Sequence, residues 1–163
     1  VSISGGVGVQ MADAAVNLGL NVAPMNDHAQ ARLKAVLPYA SPRNPIDITA
    51  QAFNRVDLVE HNLDIVLEDD QYDSVVAFFT YVAAADGMVD PIREALTRAN
   101  RRYPGRAIVL SIVAPPDIVT QYEETGCLVF EDPTRAVRAV AALHRFHQIF
   151  VSKIFHNQKK SSQ

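Results

Sequence analysis

The pattern of apolar and polar positions along the chain predicts strands separated by helices. Short apolar runs bounded by turn residues have the length of buried strands. We predict five of them, at residues 1–3, 20–23, 73–80, 106–113 and 127–130. The intervening segments carry apolar residues at helical spacing. We predict helices at 7–18, 26–37, from about 56 to 66, at 88–101, from 115 to 126, and from 133 onwards.

Several residues predict where these helices begin and end. Gly19 follows the first helix in the usual C-terminal position, and Asn26 or Asp27 can cap the second. Pro38 stops the second helix, and Asp132 precedes Pro133 as an N-cap before the last one. The last helix is expected to end in a frayed tail.

The first predicted helix is apolar nearly all round. Only Gln10, Asp13 and Asn17 form a narrow polar stripe. We therefore expect this helix to be covered on most sides. The third predicted helix places Val56, Val59, Leu63 and Val66 on one face.

Strands that alternate with helices, without a hairpin signal, predict a doubly wound α/β fold. Right-handed crossovers favour a flavodoxin-like arrangement: a parallel five-stranded sheet of order 2-1-3-4-5 in three layers. The switch point then lies between the first and third strands. Ligands are expected outside the carboxyl ends of the strands at that point.

The first strand runs directly into a glycine-rich turn, Ser4-Gly5-Gly6-Val7-Gly8. Such a turn lets a ligand approach the backbone closely, and the amide groups of the following helix would face it. We read the turn as a phosphate site, with a merely tight strand-to-helix connection as the alternative.

Known phosphate and nucleophile motifs do not fit this turn. No Walker lysine follows the glycines, and Met11 stands where a dinucleotide motif needs glycine. Ser2 occupies the glycine position of a hydrolase elbow, and Ser4 has no evident base. A hydroxyl-rich flavin loop is a further alternative, but aromatic residues to enclose a flavin are not evident.

A long irregular connection spans residues 38–54 and contains Asn44-Pro45-Ile46-Asp47-Ile48-Thr49. Connections of this length inside a compact domain are usually functional. We therefore treat it as a second candidate part of the site.

Composition excludes several classes of function. The 163 residues carry a net charge of −3 without a basic run, which gives no footprint for nucleic acid. No apolar stretch approaches the ~20 residues that span a bilayer, so we expect no membrane partner. Cys127 cannot form an intrachain disulfide and is expected to be a buried thiol in the reducing cytoplasm. His144 and His147 share a helix face without a further ligand, so no metal site is predicted.

Two stretches together, Ser4 to Gly8 and Asn44 to Thr49, resemble the NDP-forming acyl-CoA synthetases. Weaker matches follow in the same order along the chain. They are Ala12-Asp13-Ala14-Ala15, Gly19-Leu20, Ala31-Arg32-Leu33 and Val129 to Pro133, which an Arg-Ala-Val helix follows. No initiator methionine opens the chain, and we expect a piece of a longer protein.

The resemblance implies a synthetase-like flavodoxin domain at residues 1–145, the ligase-CoA domain, followed by a helix extension and tail at 146–163. In that family the reaction interconverts acyl-CoA, NDP and phosphate with acid, CoA and NTP through a phosphohistidine. That histidine belongs to another domain, so no catalytic residue is expected here. The resemblance implies phosphate binding by Ser4, Gly5, Gly6, Val7 and Gly8, in a site lined by Asn44, Pro45, Asp47 and Thr49.

Cofactors and partners follow from the same resemblance. We expect this domain alone to bind no cofactor and to be inactive, with CoA, ATP or ADP and Mg²⁺ used by the full enzyme. Its partners would be CoA-binding, phosphohistidine and ATP-grasp domains of the same synthetase, with a homo-oligomer possible. The alternative implied by related architectures is a non-catalytic regulatory module of a protein lysine acetyltransferase.

Overall fold

The computed structural model describes residues 1–49 and 57–161, with side chains described as far as Phe150. In these residues the helices are α1 (Gly5–Asn17), α2 (Asp27–Val36), α3 (Asp57–Glu68), α4 (Val89–Arg102), α5 (Pro116–Glu123) and α6 (Pro133–Ser161). The strands are β1 (Ser74–Thr80), β2 (Ala107–Ile112) and β3 (Leu128–Phe130). A short 3₁₀ helix, Tyr81–Ala84, follows β1.

The three strands form a parallel sheet of order β1-β2-β3. Ser74 pairs with Ala107, and Val109 pairs with Leu128. These strands are the predicted third, fourth and fifth. Five of the six residues of β2 are buried, as expected for a parallel strand with helices on both faces.

Successive residues of the sheet face two different helix layers. One face of β1, with Val75, Ala77 and Phe79, belongs to the larger core, which also contains residues of α2, α3 and α4. On the other face of the sheet, Val109 of β2 packs with Ala136 and Val140 of α6. The protein is therefore a three-layer α/β structure, in which α1 lies beside α6.

The opening residues extend this sheet without forming a full strand. Ser2 makes parallel bridges to Phe78 of β1 and to Asp47. The amide of Ser2 donates to the Ile46 carbonyl at 2.8 Å, and the amide of Ile48 donates to the Ser2 carbonyl at 2.9 Å. Residues 1–3 thus lie between β1 and residues 46–48.

The predicted second strand at residues 20–23 is wrong, because this segment has no regular secondary structure and pairs with no strand among the described residues. The Ala23 carbonyl instead accepts hydrogen bonds from the side chains of Asn44 and Tyr72, at 3.1 and 2.8 Å. Residues 46–48 occupy the sheet position beside residues 1–3. The five-stranded order 2-1-3-4-5 is therefore not confirmed.

The predicted helix ends are confirmed at three places. Gly19, the second residue after the end of α1, has a φ of 79°. The Asn26 side chain accepts the amide of Ala29 at 2.8 Å. Asp132 Oδ1 accepts the amides of Thr134 and Arg135 at 2.6 and 3.0 Å.

The prediction that α1 is covered on most sides is wrong. Only Gly8 and Met11 of α1 are buried, and Val9 and Val16 are more than half exposed, because in the described structure α1 is covered only on the side of the sheet and α6. The last helix extends past residue 145 and its backbone continues to Ser161, and the end of the expected tail lies outside the described residues. Val56 and the end of the predicted connection at 38–54 lie outside the described residues.

Candidate functional site

Three segments meet at the carboxyl edge of the sheet. Because residues 1–3, residues 46–48 and β1 are mutually parallel where they pair, their carboxyl ends lie at the same edge. α1 begins there, immediately after Ser4. The candidate turn and the Asn44 to Thr49 stretch are therefore brought together, as the sequence led us to expect.

The Ser2 side chain fixes the geometry of the turn. Its fully buried hydroxyl accepts the amide of Ser4 at 3.0 Å and donates to the Ser4 carbonyl at 2.7 Å. Ser4 is the N-cap residue of α1, with extended backbone and no side-chain cap hydrogen bond. Ser2, which sequence reasoning did not assign to the site, holds the backbone that leads into the helix.

The amino end of α1 is open. The Gly8 amide closes the first turn by donating to the Ser4 carbonyl at 2.9 Å. Among the described residues, the amides of Gly5, Gly6 and Val7 have no hydrogen-bond acceptor. Both Gly5 and Gly6 are exposed, so these groups, at the positive end of the helix dipole, are accessible to an anion.

The three glycines of the turn have different surroundings. A Cβ atom on Gly5 would lie 2.9 Å from Oδ2 of Asp47, and one on Gly8 would lie 3.3 Å from Cβ of Pro45. None of the described atoms lies within 4 Å of the same position on Gly6. Gly5 and Gly8 therefore allow α1 to approach the neighbouring loop, and Gly6 leaves open space before the helix.

The loop residues predicted to line the site point in different directions. Pro45 and Asp47 contact α1 as described, and Asp47 Oδ1 also accepts the amide of Thr49 at 2.8 Å. Thr49 has a φ of 59°. The Asn44 side chain donates a hydrogen bond to the Ala23 carbonyl at 3.1 Å.

Thr80 is a residue of this edge that sequence reasoning missed. It ends β1 with φ 47° and ψ −140°, a conformation that a β-branched residue rarely adopts. Such strain costs about 1–3 kcal/mol and is concentrated at functional positions. A threonine at the end of an apolar run gives no signal of it in the sequence.

Other candidate groups lie apart from this edge. Cys127 is buried, as predicted, and burial raises the pKa of its thiol. The described residues contain no group of three His, Cys, Asp or Glu side chains suited to a metal ion. A cavity of about 230 Å³ lies between α1, α6 and the start of β1. Its lining includes Gly8, Asn44 and Pro45 of the predicted site residues, but not Gly5 or Gly6 at the open helix end.

The fold and the turn define a three-layer parallel α/β domain with an open helix amino end at the carboxyl edge of its sheet. The chain is similar to acetate–CoA ligase [ADP-forming] I of Archaeoglobus fulgidus, with 30% identity over 150 residues. It is also similar to the alpha subunit of acetate–CoA ligase [ADP-forming] I of Pyrococcus furiosus, with 21% identity over 148 residues. The resemblance to the NDP-forming acyl-CoA synthetases is thus confirmed.

The chain accounts for only part of these relatives. Each match covers 90% of this chain, but 20% of the Archaeoglobus protein and 32% of the Pyrococcus subunit. No family model matches the chain.

Solved structures share the fold. A Pyrococcus horikoshii OT3 protein, PH0766, superposes with a TM-score of 0.75 at 24% identity, over 87% of this chain and 33% of its own. The dinucleotide-forming acetyl-coenzyme A synthetase 1 of Ca. Korarchaeum cryptofilum, in complex with phosphate and ADP, gives a TM-score of 0.75 at 19% identity, over 90% of this chain and 32% of its own.

Within the described residues, no helix combines the length and the apolar character that crossing a bilayer requires.

Proposed function

We propose that this chain is one domain of an acid–CoA ligase (NDP-forming) and that the amino end of α1 binds a phosphoryl group during the reaction. Two findings support the proposal. The curated relatives are ADP-forming acetate–CoA ligases. The single structural observation that carries it is the set of amides at Gly5, Gly6 and Val7, which are open at the carboxyl edge and have no acceptor among the described residues.

The geometry suggests the side from which a phosphoryl group would arrive. Asp47 borders the helix end next to Gly5, and its negative charge disfavours an anion on that side. A Cβ position on Gly6 has no neighbour within 4 Å in the described part of the chain, so the approach would be from the Gly6 side. There the first-turn amides would donate hydrogen bonds to the phosphoryl oxygens, and the helix dipole would stabilise their charge.

The remaining chemistry would belong to other parts of the enzyme. The proposed reaction interconverts acyl-CoA, NDP and phosphate with acid, CoA and NTP, and the histidine that carries the phosphoryl group would lie in another domain. CoA, the nucleotide and Mg²⁺ would be held by the CoA-binding, phosphohistidine and ATP-grasp domains. In this domain, Gly5, Gly6 and Val7 would supply the open amides. Ser4 and Gly8, whose own amides bond to Ser2 Oγ and to the Ser4 carbonyl, would shape the turn. Pro45, Asp47 and Thr49 would border it, and Asn44 would brace the loop through its hydrogen bond to the Ala23 carbonyl. The single cysteine supports a cytoplasmic location for the whole protein.

A substitution at Gly6 tests the proposal. In the intact synthetase, Gly6→Leu would place a side chain in the open approach, where a Cβ atom has no described atom within 4 Å. We expect histidine phosphorylation to fall by about 100-fold, the order of effect of losing one preorganised donor to a developing charge. The measurement is transfer of labelled phosphate to the enzyme.

Val9→Phe is the matched control, because Val9 is 53% exposed on the next turn of α1. This variant should be phosphorylated normally. A normal phosphoenzyme level in Gly6→Leu would contradict the proposal.

The alternative of a regulatory module in a lysine acetyltransferase receives no support from the relatives, which are ligases.

A further inference from the structure

Helix α6 leaves the body of the domain after its second turn. Ala136, Val137, Val140 and Ala141 are buried against the sheet and α1. Every residue from Ala142 to Phe150 is exposed, and the helix backbone continues to Ser161. The second half of the helix is therefore not supported by the part of the domain that the structure describes.

This exposed part of α6 carries an apolar stripe. Its members are all large, apolar and about half or more exposed: Leu143, Phe146, Ile149 and Phe150. The rings of Phe146 and Phe150 stack with their centroids 6.1 Å apart. We call these four residues the α6 stripe. A contiguous apolar patch of this kind on a soluble domain marks an interaction surface.

The α6 stripe only partly continues the face that packs on the domain. Residues seven positions apart lie on nearly the same side of a helix. The positions seven after Val137, Val140 and Ala141 are His144, His147 and Gln148, so most of the packing face becomes polar where α6 leaves the body. Leu143 and Phe150 follow the buried Ala136 by seven and fourteen positions and border that face. Phe146 and Ile149 lie on the opposite side of the helix.

Charge restricts what can cover the stripe. Residues 133–163 contain six Lys or Arg residues and no Asp or Glu, whereas all 18 acidic residues lie before them. Arg138 and Arg145, which are seven positions apart and therefore share a side of α6, are both exposed. A second copy that paired α6 with α6 would place two basic helices against each other. The complementary surface is apolar in its centre and acidic at its border.

We propose that the α6 stripe docks into an apolar groove bordered by carboxylates on another part of the same synthetase. The inference rests on the proposed function for the identity of the larger protein. The chain covers only 20% and 32% of its curated relatives, so a large remainder is available to supply such a groove. The helix-in-groove mode fits an amphipathic helix whose apolar residues recur every three or four positions.

Paired measurements on the 163-residue chain and on the intact synthetase test the docking. The variant Phe146→Gln/Phe150→Gln should lower the melting temperature of the intact synthetase by several degrees, because it loses two buried aromatic anchors. The same variant should leave the melting temperature of the 163-residue chain unchanged, since there both rings are exposed. Tyr39→Gln is the matched control, because Tyr39 is 79% exposed and lies outside α6. It should change neither value. Equal melting temperatures for the intact variant and the intact parent would overturn the proposal.

Crosslinking identifies the occupant. A photoreactive benzoylphenylalanine in place of Phe146, in the intact synthetase, should crosslink to a segment of that synthetase outside these 163 residues. Arg138→Glu/Arg145→Glu should reduce the yield several-fold, and the parent's yield should fall with added salt. A crosslink between two α6 stripes would overturn the proposal in favour of a second copy. Binding of the 163-residue chain to phosphatidylglycerol vesicles, lost in the Phe146→Gln/Phe150→Gln variant, would overturn it in favour of a membrane surface.

The docking and the phosphoryl site can fail separately. The stripe variants do not alter α1, and Gly6→Leu does not alter α6. Normal phosphorylation in Gly6→Leu together with a crosslink inside the synthetase would reject the site and keep the docking surface.

Discussion

Asp47 and Gly5 are in direct apposition: the Oδ2 atom of Asp47 lies 2.9 Å from the place of a Cβ atom on Gly5. This contact joins the loop at residues 44–49 to the amino end of α1. It shows that the two stretches that carry the family resemblance meet in this structure. Residue 5 lacks a side chain where Asp47 of the loop places its carboxylate.

Gly5→Ala and Gly6→Ala should therefore affect stability in opposite directions. Alanine at Gly6 meets open space and gains helix propensity, so we expect up to about 0.5 kcal/mol of stabilisation. Alanine at Gly5 forces Asp47 to move and disturbs its hydrogen bond to the Thr49 amide, which should cost about 1 kcal/mol. Urea unfolding of both variants measures the difference. Equal stabilities would show that the carboxylate moves aside freely.

Thr80→Gly should stabilise the domain. Glycine adopts the φ of 47° at Thr80 without a Cβ clash, and the relief outweighs its greater entropy in the unfolded chain. We expect a gain of about 1 kcal/mol in the free energy of unfolding. Thr97→Gly, inside α4, is the contrasting control and should destabilise, because glycine weakens a helix interior. A loss of stability in Thr80→Gly would mean that the threonine side chain contributes more than the strain costs.

Asp69 should make stability sensitive to acid. Burial raises the pKa of this carboxyl, but hydrogen bonds from the Asn26 amide and from Gln71 outweigh burial and hold the pKa below its ordinary value. The carboxylate therefore stabilises the folded state fully above about pH 4, the ordinary aspartate pKa. That contribution is lost as the pH falls through the lower folded pKa.

Asp69→Asn should accordingly flatten the dependence of the unfolding free energy on pH below about 4. At neutral pH it should cost about 1.5–3 kcal/mol, the order of a charge-assisted hydrogen bond. Chemical denaturation across the acid range measures both effects. An unchanged slope would mean that other carboxyls, such as Asp132 with its lowered pKa, dominate the acid response.

Cys127 should be unreactive in the folded protein. Its side chain is buried, burial raises the pKa of the thiol, and Asn100 Nδ2 lies 3.4 Å from its sulfur. A thiol reagent at neutral pH should therefore modify Cys127 only as fast as the domain opens. The reaction should become rapid in denaturing urea. Fast modification without denaturant would show that the region around β3 opens locally.

The elements that were predicted well from the sequence are those whose apolar residues follow one clear spacing. The apolar runs at β1 and β2 and the helical spacing of α4 each agree with a single structure, and their observed bounds differ from the predicted ones by one residue. Strong caps such as Asp132 fixed helix ends equally well. In these segments local preference and tertiary packing act in the same direction.

The segments that were mispredicted have short and ambiguous patterns. Leu20-Asn21-Val22-Ala23 has the composition of a strand, but tertiary contacts direct its last carbonyl to the side chains of Asn44 and Tyr72. In contrast, Ile46-Asp47-Ile48 alternates buried, half-exposed and buried residues, a period of two that the nearby proline obscured. The glycines of the turn were visible in the sequence. Their separate neighbours were not, because Asp47 and Pro45 reach them only through the fold.

The pairing of Ser2 on both sides has a consequence for how the chain acquires its structure. Ser2 hydrogen-bonds to Ile46 and Ile48 on one side, and the neighbouring residues Val1 and Ile3 bond to Phe78 on the other. Partners so distant in sequence are slow to find each other, because long loops must close first. During vectorial synthesis the opening residues emerge before either partner exists. They must wait for Phe78, so the turn at Ser4 to Gly8 is set only after more than 70 further residues have been made.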